Sequence, residues 1–421
     1  MAKSRQYQQM SVLVSSTFAF TICFAVWMMF AVIGIPIKTM LSLNETQFGL
    51  LAAMPVLTGS LVRIPLGVWT DRYGGRIVLT CVMACTVIPI YLLQFATQYW
   101  HFLVLALFVG VAGGSFSVGT PYVARWFTKE RQGLAMGIFG AGNSGSALTK
   151  FAAPAMILAA GGSWQVVPEY YSYAMALTAV IFWFTSYHDP KHIAPANTTS
   201  FKAMFQLLKD EKVLRYSQYY SVVFGGYVGL ALWMTKYYIA QYGFTMQTAA
   251  LLAACFSLPG GVLRALGGWI SDKYGAYKTT WGVMWVALTC LFIMSYPNTQ
   301  MSIETVNGAR DFHLGLSVVP FTVLLFVVGI ATAVGKASVF KFISDDYTQN
   351  IGAVSGIVGL AGGLGGFLLP IMFGALVDLT GVRTSCFMLL FGTVCVSMIW
   401  MHWSFRRESM QAAQAALAAK G

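Results

Sequence analysis

The sequence predicts an all-α membrane protein whose twelve transmembrane helices form two pseudo-symmetric six-helix bundles. Three observations carry this. The 421 residues are 57% hydrophobic and only 10% charged, with a mean hydropathy of +0.67, far more apolar than a soluble chain of this length. The apolar stretches are long enough to cross a hydrocarbon core about 30 Å thick at about 1.5 Å per helical residue. Finally, stretches of the first half of the chain recur in the second.

The first span, 11–36, is too long for a signal peptide and lacks a small-residue cleavage site, so it reads as a retained helix. Spans at 46–69, 78–97, 101–125, 133–159 and 169–187 complete an N-terminal bundle, 1–187. The longest polar segment follows as a linker, 188–214, in which Phe201 to Leu208 suit either a short amphipathic surface helix or a solvated connection. Spans at 215–240, 246–270, 279–296, 315–341, 351–377 and 382–403 make the C-terminal bundle, 215–403, and 404–421 is a tail. An even number of spans puts both termini on one side.

The formal charge of +12 is topological. Lys and Arg concentrate in the N-terminus, the even-to-odd loops and the tail, while the opposite loops carry only Lys38, Arg310 and Arg383. By the positive-inside rule the termini are cytoplasmic, in a multi-pass protein of the cytoplasmic (inner) membrane. The distribution argues against a nucleic-acid partner. All seven cysteines fall within spans without a CxxC, which excludes a disulfide framework or zinc site. No Walker motif, metal cluster or nucleophile–base pair points to an enzyme, a cofactor or a metal. The five histidines lie at span ends or in loops, away from any central proton path.

The internal repeat is specific. Arg63, Gly67, Asp71, Tyr73 and Gly74 recur as Arg264, Gly268, Asp272, Tyr274 and Gly275, each 201 positions later, and Arg72 is matched by Lys273. GLAMGIFGAGNSG from Gly133 is echoed by GAVSGIVGLAGGLGG from Gly352. This pairs spans two and five with spans eight and eleven, the build of a parallel-repeat secondary transporter with its site between the halves near the midplane. GVWTDRYGGR (67–76) resembles the loop signature of the major facilitator superfamily, and GWISDKYGAY (268–277) its second-half counterpart. The glycine-rich GIFGAGNSG (137–145) and GIVGLAGGLGG (356–366), with the two arginines, resemble the nitrate/nitrite porter family within it. The resemblance covers nearly the whole chain and implies the major facilitator fold.

Arg63 and Arg264 each lie eight residues, about 12 Å, inside the membrane boundary marked by Asp71 and Asp272. Asn143 and Lys336 reach a similar depth. A cation there costs at least about 2.5 kcal/mol unless it meets an anion or a cavity. Every Asp and Glu falls in a loop, at a span end or in the tail, so the counter-ion is expected to be the substrate, with backbone carbonyls or lipid phosphate as the structural alternative. Two flat guanidinium forks, one from each half, suit a small planar oxyanion. The resemblance implies that Arg63 and Arg264 bind nitrate or nitrite, that Asn143 donates its amide to an oxygen, and that Phe116 and Tyr227 belong to the pocket. It also implies that Gly137, Gly140, Gly142, Gly356, Gly359 and Gly363 let the fifth and eleventh helices slide.

Lys150 and Lys336 are candidates for attracting anions or coupling protons. Lys236, near the outer end of its helix, has the position of a snorkelling side chain. Asp71 and Asp272 are read as gate groups, with Arg72, Arg76 and Lys273 as their cationic partners. The function expected is nitrate uptake by alternating access with proton symport, in a functional monomer. Nitrate/nitrite antiport, transport of another anion and nitrate sensing are the alternatives, and measured flux separates the last from the rest.

Overall fold

In a computed structural model, residues 2–188, 207–347 and 351–418 are described. They form twelve rods. α1 is Ala2–Trp27 continued by Phe30–Met40, and α2 is Glu45–Leu61 continued by Arg63–Tyr73. α3 is Gly75–Leu92, α4 joins Tyr99–Val109 to Ser115–Trp126, α5 joins Lys129–Gly140 to Gly145–Ala159, and α6 is Val166–Thr185. In the second half α7 joins Glu211–Tyr220 to Gly226–Tyr242, and α8 joins Met246–Val262 to Arg264–Tyr274. α9 is Ala276–Ser295, α10 is Val318–Asp346, α11 is Ile351–Thr380 and α12 is Ser385–Ala418. By length and composition seven helices qualify as membrane spans among the described residues, and the bent pairs of α2 and α8 raise this to nine. α5, α6 and α7 pack as the remaining members of the two bundles.

The breaks fall where the backbone is weak. Gly59-Ser60 precedes the 41° bend of α2 and Gly260-Gly261 the 48° bend of α8, the pairings at which helices kink. In each case the repeated arginine is the first residue past the bend. A tight turn at Gly110–Gly114, another at Ala141–Ser144 and a wide one at Ser221–Gly225 interrupt α4, α5 and α7. These three breaks, too, sit in glycine-bearing sequence.

Among the boundaries that differ from the sequence reading, two have a visible cause. α7 begins at Glu211 rather than 215, because Asp210 caps it by accepting from the Lys212 amide at 2.9 Å. The stretch 404–418 is not a loose tail but the end of α12, as its run of alanines and glutamines favours. Arg215 donates to Glu408 at 2.8 Å and Arg407 pairs with Glu211, fixing that extension to the start of α7. The surface helix weighed for Phe201 to Leu208 lies largely outside the described residues. Between α9 and α10, β1 (Thr299–Thr305) pairs antiparallel with β2 (Gly308–Leu314), an exposed hairpin closed by Val306 and Asn307.

One apolar core belongs to the N-terminal half alone. The other joins Phe20, Phe24 and Trp27 of α1, Val56 of α2 and Phe139 of α5 to the C-terminal half. The halves therefore meet along α2 against α11 and α5 against α8. Glycines allow this: a Cβ on Gly363 would strike the Ser60 side chain, and one on Gly49 the Pro370 backbone.

Candidate functional site

Arg63 is buried and donates from Nη1 to the Gly359 carbonyl of α11 at 2.9 Å. Its guanidinium stands 5.1 Å from the centre of the Phe224 ring. Arg264, only partly buried, lies 5.0 Å from Phe116 and 5.4 Å from Phe340. Each arginine reaches across the seam, Arg63 to Gly359 and Phe224 of the C-terminal half and Arg264 to Phe116 of the N-terminal half, and Lys336 is buried beside Gly260, four residues before Arg264. Among the described residues no carboxylate pairs with any of the three.

Two donors at this level are unspent. Arg63 Nε and Asn143 Nδ2 are buried with no hydrogen-bond partner, and the Asn143 side chain is 1% exposed. A buried donor left unpaired costs about 1–3 kcal/mol, so an acceptor placed between these groups would stabilise the arrangement. A cluster of like charges with spare N–H groups and aromatic floors fits an anion, not a cation. Guanidinium and amide N–H groups beside aromatic rings are a donor set that a small oxyanion can take.

The remaining predicted residues divide. Gly140 lies against Arg264, where a Cβ would come 3.3 Å from its Cδ, and Gly359 lies against Arg63 while holding it through the carbonyl. Gly137 faces Ala265 across the α5–α8 seam, Gly142 faces Phe20, and Gly363 faces Ser60. A Cβ on Gly356 would meet nothing within 4 Å among the described residues. Phe116 belongs to a ring cluster, 5.5 Å from Phe20 and 5.9 Å from Phe139.

Tyr227 makes polar contacts through its hydroxyl and a cation contact through its ring. It is fully buried, shares a 2.9 Å hydrogen bond with Ser146 and donates to the Ser257 carbonyl at 2.9 Å. Its ring carries Lys336 Nζ at 3.6 Å, and that ammonium donates to the Gly260 carbonyl at 2.6 Å. Lys150 Nζ donates to Ser257 Oγ at 2.8 Å. Tyr227, Ser146 and Ser257 thus link the two buried lysines, one from each half.

The gate assignments need correction. Asp71 pairs with Arg125 of α4, not with Arg72 or Arg76, and Asp272 pairs with Lys341 of α10 at 3.4 Å, not with Lys273. Arg72 and Lys273 lie over aromatic rings of their own helices, and Arg76 over Trp183 of α6. The reason is geometric: a residue beside Asp71 or Asp272 points around the helix, whereas α4 and α10 each present a cation to it. Both pairs stay within one half. On the face carrying the termini, a Cβ on Gly67, Gly268 or Gly356 would meet nothing within 4 Å among the described residues.

The opposite face is sealed. Lys236 does not snorkel free but pairs with Glu45 across the two halves, over the rings of Trp233 and Phe48. Lys38 adds a 3.5 Å contact to the same carboxylate. Asp378, at the end of α11, accepts from the Glu45 and Thr46 amides at 3.1 and 2.8 Å and so caps α2 from the other half. This latch left no trace in spacing, since its members are far apart in sequence. Phe224 and Phe340 were also missed, although Phe340 stands one turn beyond Lys336 on the same helix face.

Residues 16–309, more than half of the chain, match the sequence profile of the Major Facilitator Superfamily. The chain is 38% identical over 419 residues to a probable nitrate/nitrite antiporter, NarK1, of Thermus thermophilus, covering 96% of this chain and 94% of that one. It is 30% identical over 415 residues to a probable nitrate transporter, NarT, of Staphylococcus carnosus, covering 97% and 99%. A nitrite extrusion protein of Bacillus subtilis is 27% identical over 409 residues, covering 96% and 97%. Among solved structures, a bacterial homologue of the lysosomal transporter Spinster superposes with a TM-score of 0.72 at 16% identity, covering 95% of this chain and 97% of that one.

Proposed function

We propose, from the premise that the chain belongs to the nitrate/nitrite porter family of the Major Facilitator Superfamily, that it carries nitrate across the cytoplasmic membrane by alternating access. It is a multi-pass membrane transporter and not an enzyme. Nitrate binds between Arg63 and Arg264, with Asn143 donating to a third oxygen and Phe116 flooring the slot. The observation that carries this reading is the pair of arginines, one from each half, without a carboxylate and with Nε and Nδ2 donors unspent. Because the guanidiniums come from different bundles, the bound anion screens their repulsion and draws the halves together. Release follows when the bundles rock apart. Both termini lie on the cytoplasmic side, so the latched face is the outer one, and the transporter works as a monomer.

Nitrate uptake proceeds with protons. The support is the pair Lys150 and Lys336, buried cations on either side of Tyr227 and Ser257 that no carboxylate pairs among the described residues, which a purely anion-exchanging site does not require. Nitrate/nitrite antiport is the second reading, favoured by the likeness to the probable nitrate/nitrite antiporter of Thermus thermophilus. Uptake of labelled nitrate into proteoliposomes separates them. Symport predicts acceleration by an inward proton gradient without internal nitrite. Acceleration only by preloaded nitrite makes the protein an exchanger, and no nitrate flux under either drive rejects the proposal.

A further inference from the structure

Arg76, freed from the gate, stands at the mouth of a groove. Between α3 and α6 a cavity of about 440 Å³ opens towards the lipid, its walls built by Thr80, Ala84 and Ile88 on one side and Ala176, Val180 and Trp183 on the other. The alanines make the trough, while Ile88, Val180 and Trp183 are exposed along its rim. The one polar side chain among these six is spent inward, since Thr80 Oγ1 donates to the Arg76 carbonyl at 2.8 Å. Arg76, Thr80, Ala84 and Ile88 follow at four-residue intervals, so the arginine heads the same helix face that lines the groove. Thr80 to Ile88 rises about 12 Å, the depth of most of one leaflet's hydrocarbon.

Trp183 of α6 holds the Arg76 guanidinium by two contacts. The guanidinium lies 4.3 Å from the Trp183 ring and donates from Nη2 to the Trp183 carbonyl at 2.6 Å, which fixes it over the groove mouth. No carboxylate pairs with it among the described residues, and the residue is only partly buried. We infer that this groove binds an anionic phospholipid, one acyl chain lying in the trough and the headgroup phosphate on Arg76. The charge at the membrane boundary and the apolar channel running inward from it match the two ends of one such molecule. A protein partner would have to bring an anion and an apolar ridge to the same spacing. The leaflet, inner, follows from the orientation proposed above; the chemistry of the site does not depend on it.

Native mass spectrometry of the full-length protein in detergent, titrated with dioleoyl phosphatidylglycerol or dioleoyl phosphatidylcholine, tests this. Wild type should retain one phosphatidylglycerol with about fivefold preference, the worth of one cation near an anionic surface. Arg76→Gln should erase the preference and Arg76→Lys should keep part of it. Ala176→Leu, which fills the trough but leaves the cation, should weaken binding of both lipids. Unchanged preference in Arg76→Gln, or undiminished phosphatidylglycerol retention in Ala176→Leu, overturns the site. So does a dimer that excludes lipid and is lost in Ala176→Leu, because the groove would then seat a second copy. The readout is lipid retention rather than flux, so a failed transport proposal leaves it standing.

Discussion

Replacing Lys236 by Met should open the outer face. In the structure the Lys236 ammonium pairs with Glu45 across the two halves while its stem packs on Trp233, and the side chains are 11% and 23% exposed. Removing one partner from a fully buried pair costs about 3–5 kcal/mol. Here residual exposure weakens the pair, and Lys38 still stands 3.5 Å from Glu45, so about 1.5 kcal/mol is the loss expected for the closed state. Methionine keeps most of the apolar packing, and the open state, in which the halves are apart, loses nothing. The closed-to-open ratio should therefore fall about tenfold. Spin labels at Met40 on α1 and Leu379 on α11, both exposed at the outer end of opposite halves, report that ratio by dipolar distance measurement once Cys81, Cys85 and Cys255 are replaced. A longer-distance population should grow in Lys236→Met, and Glu45→Gln should add little to it because both variants break one contact. An unchanged distance distribution in Lys236→Met, or full additivity of the two, refutes the latch.

Three further outcomes follow from the same geometry. Gly49→Leu would drive its side chain into the Pro370 backbone, so it should block outer closure and reduce steady-state nitrate uptake at least tenfold, whereas Gly356→Leu, facing open space here, should spare outer closure in the same distance measurement. Tyr227→Phe removes the hydroxyl joining Ser146 to Ser257 and should change the pH profile of uptake more than the nitrate KM, as should Lys336→Met; an unchanged profile in both counts against the lysines as coupling groups. Asp71→Asn should lower thermal stability by about 1 kcal/mol at most, since it breaks a partly exposed pair within one half, and a selective arrest of the inner gate without loss of stability would restore the gate role assigned from sequence.

The helical spans and the duplication were legible because each rests on a local count: apolar run length and a fixed offset. The bends at Arg63 and Arg264 were less so, although the glycines before them were visible, because a kink depends on how neighbours reward it. Contacts between distant segments were not legible. Nothing near Glu45 announces Lys236, and nothing near Asp71 prefers Arg125 over Arg72, until the helices are placed side by side. Tyr227 shows the same limit: the sequence placed it near the site, but only packing decides that its hydroxyl faces Ser146 and its ring faces Lys336. The β1–β2 hairpin could have been read from Asn307-Gly308 between strand-forming residues, a turn signal overshadowed by the hydropathy of its surroundings.

Equilibrium binding of labelled nitrate to the purified protein, comparing wild type with Arg63→Lys and Arg264→Lys, tests the central claim most directly. Lysine keeps each charge but loses the planar fork. If both guanidiniums grip one planar oxyanion, each variant should bind nitrate about tenfold to a hundredfold more weakly. Wild-type affinity in either variant, or no saturable nitrate binding by the wild type, would contradict it.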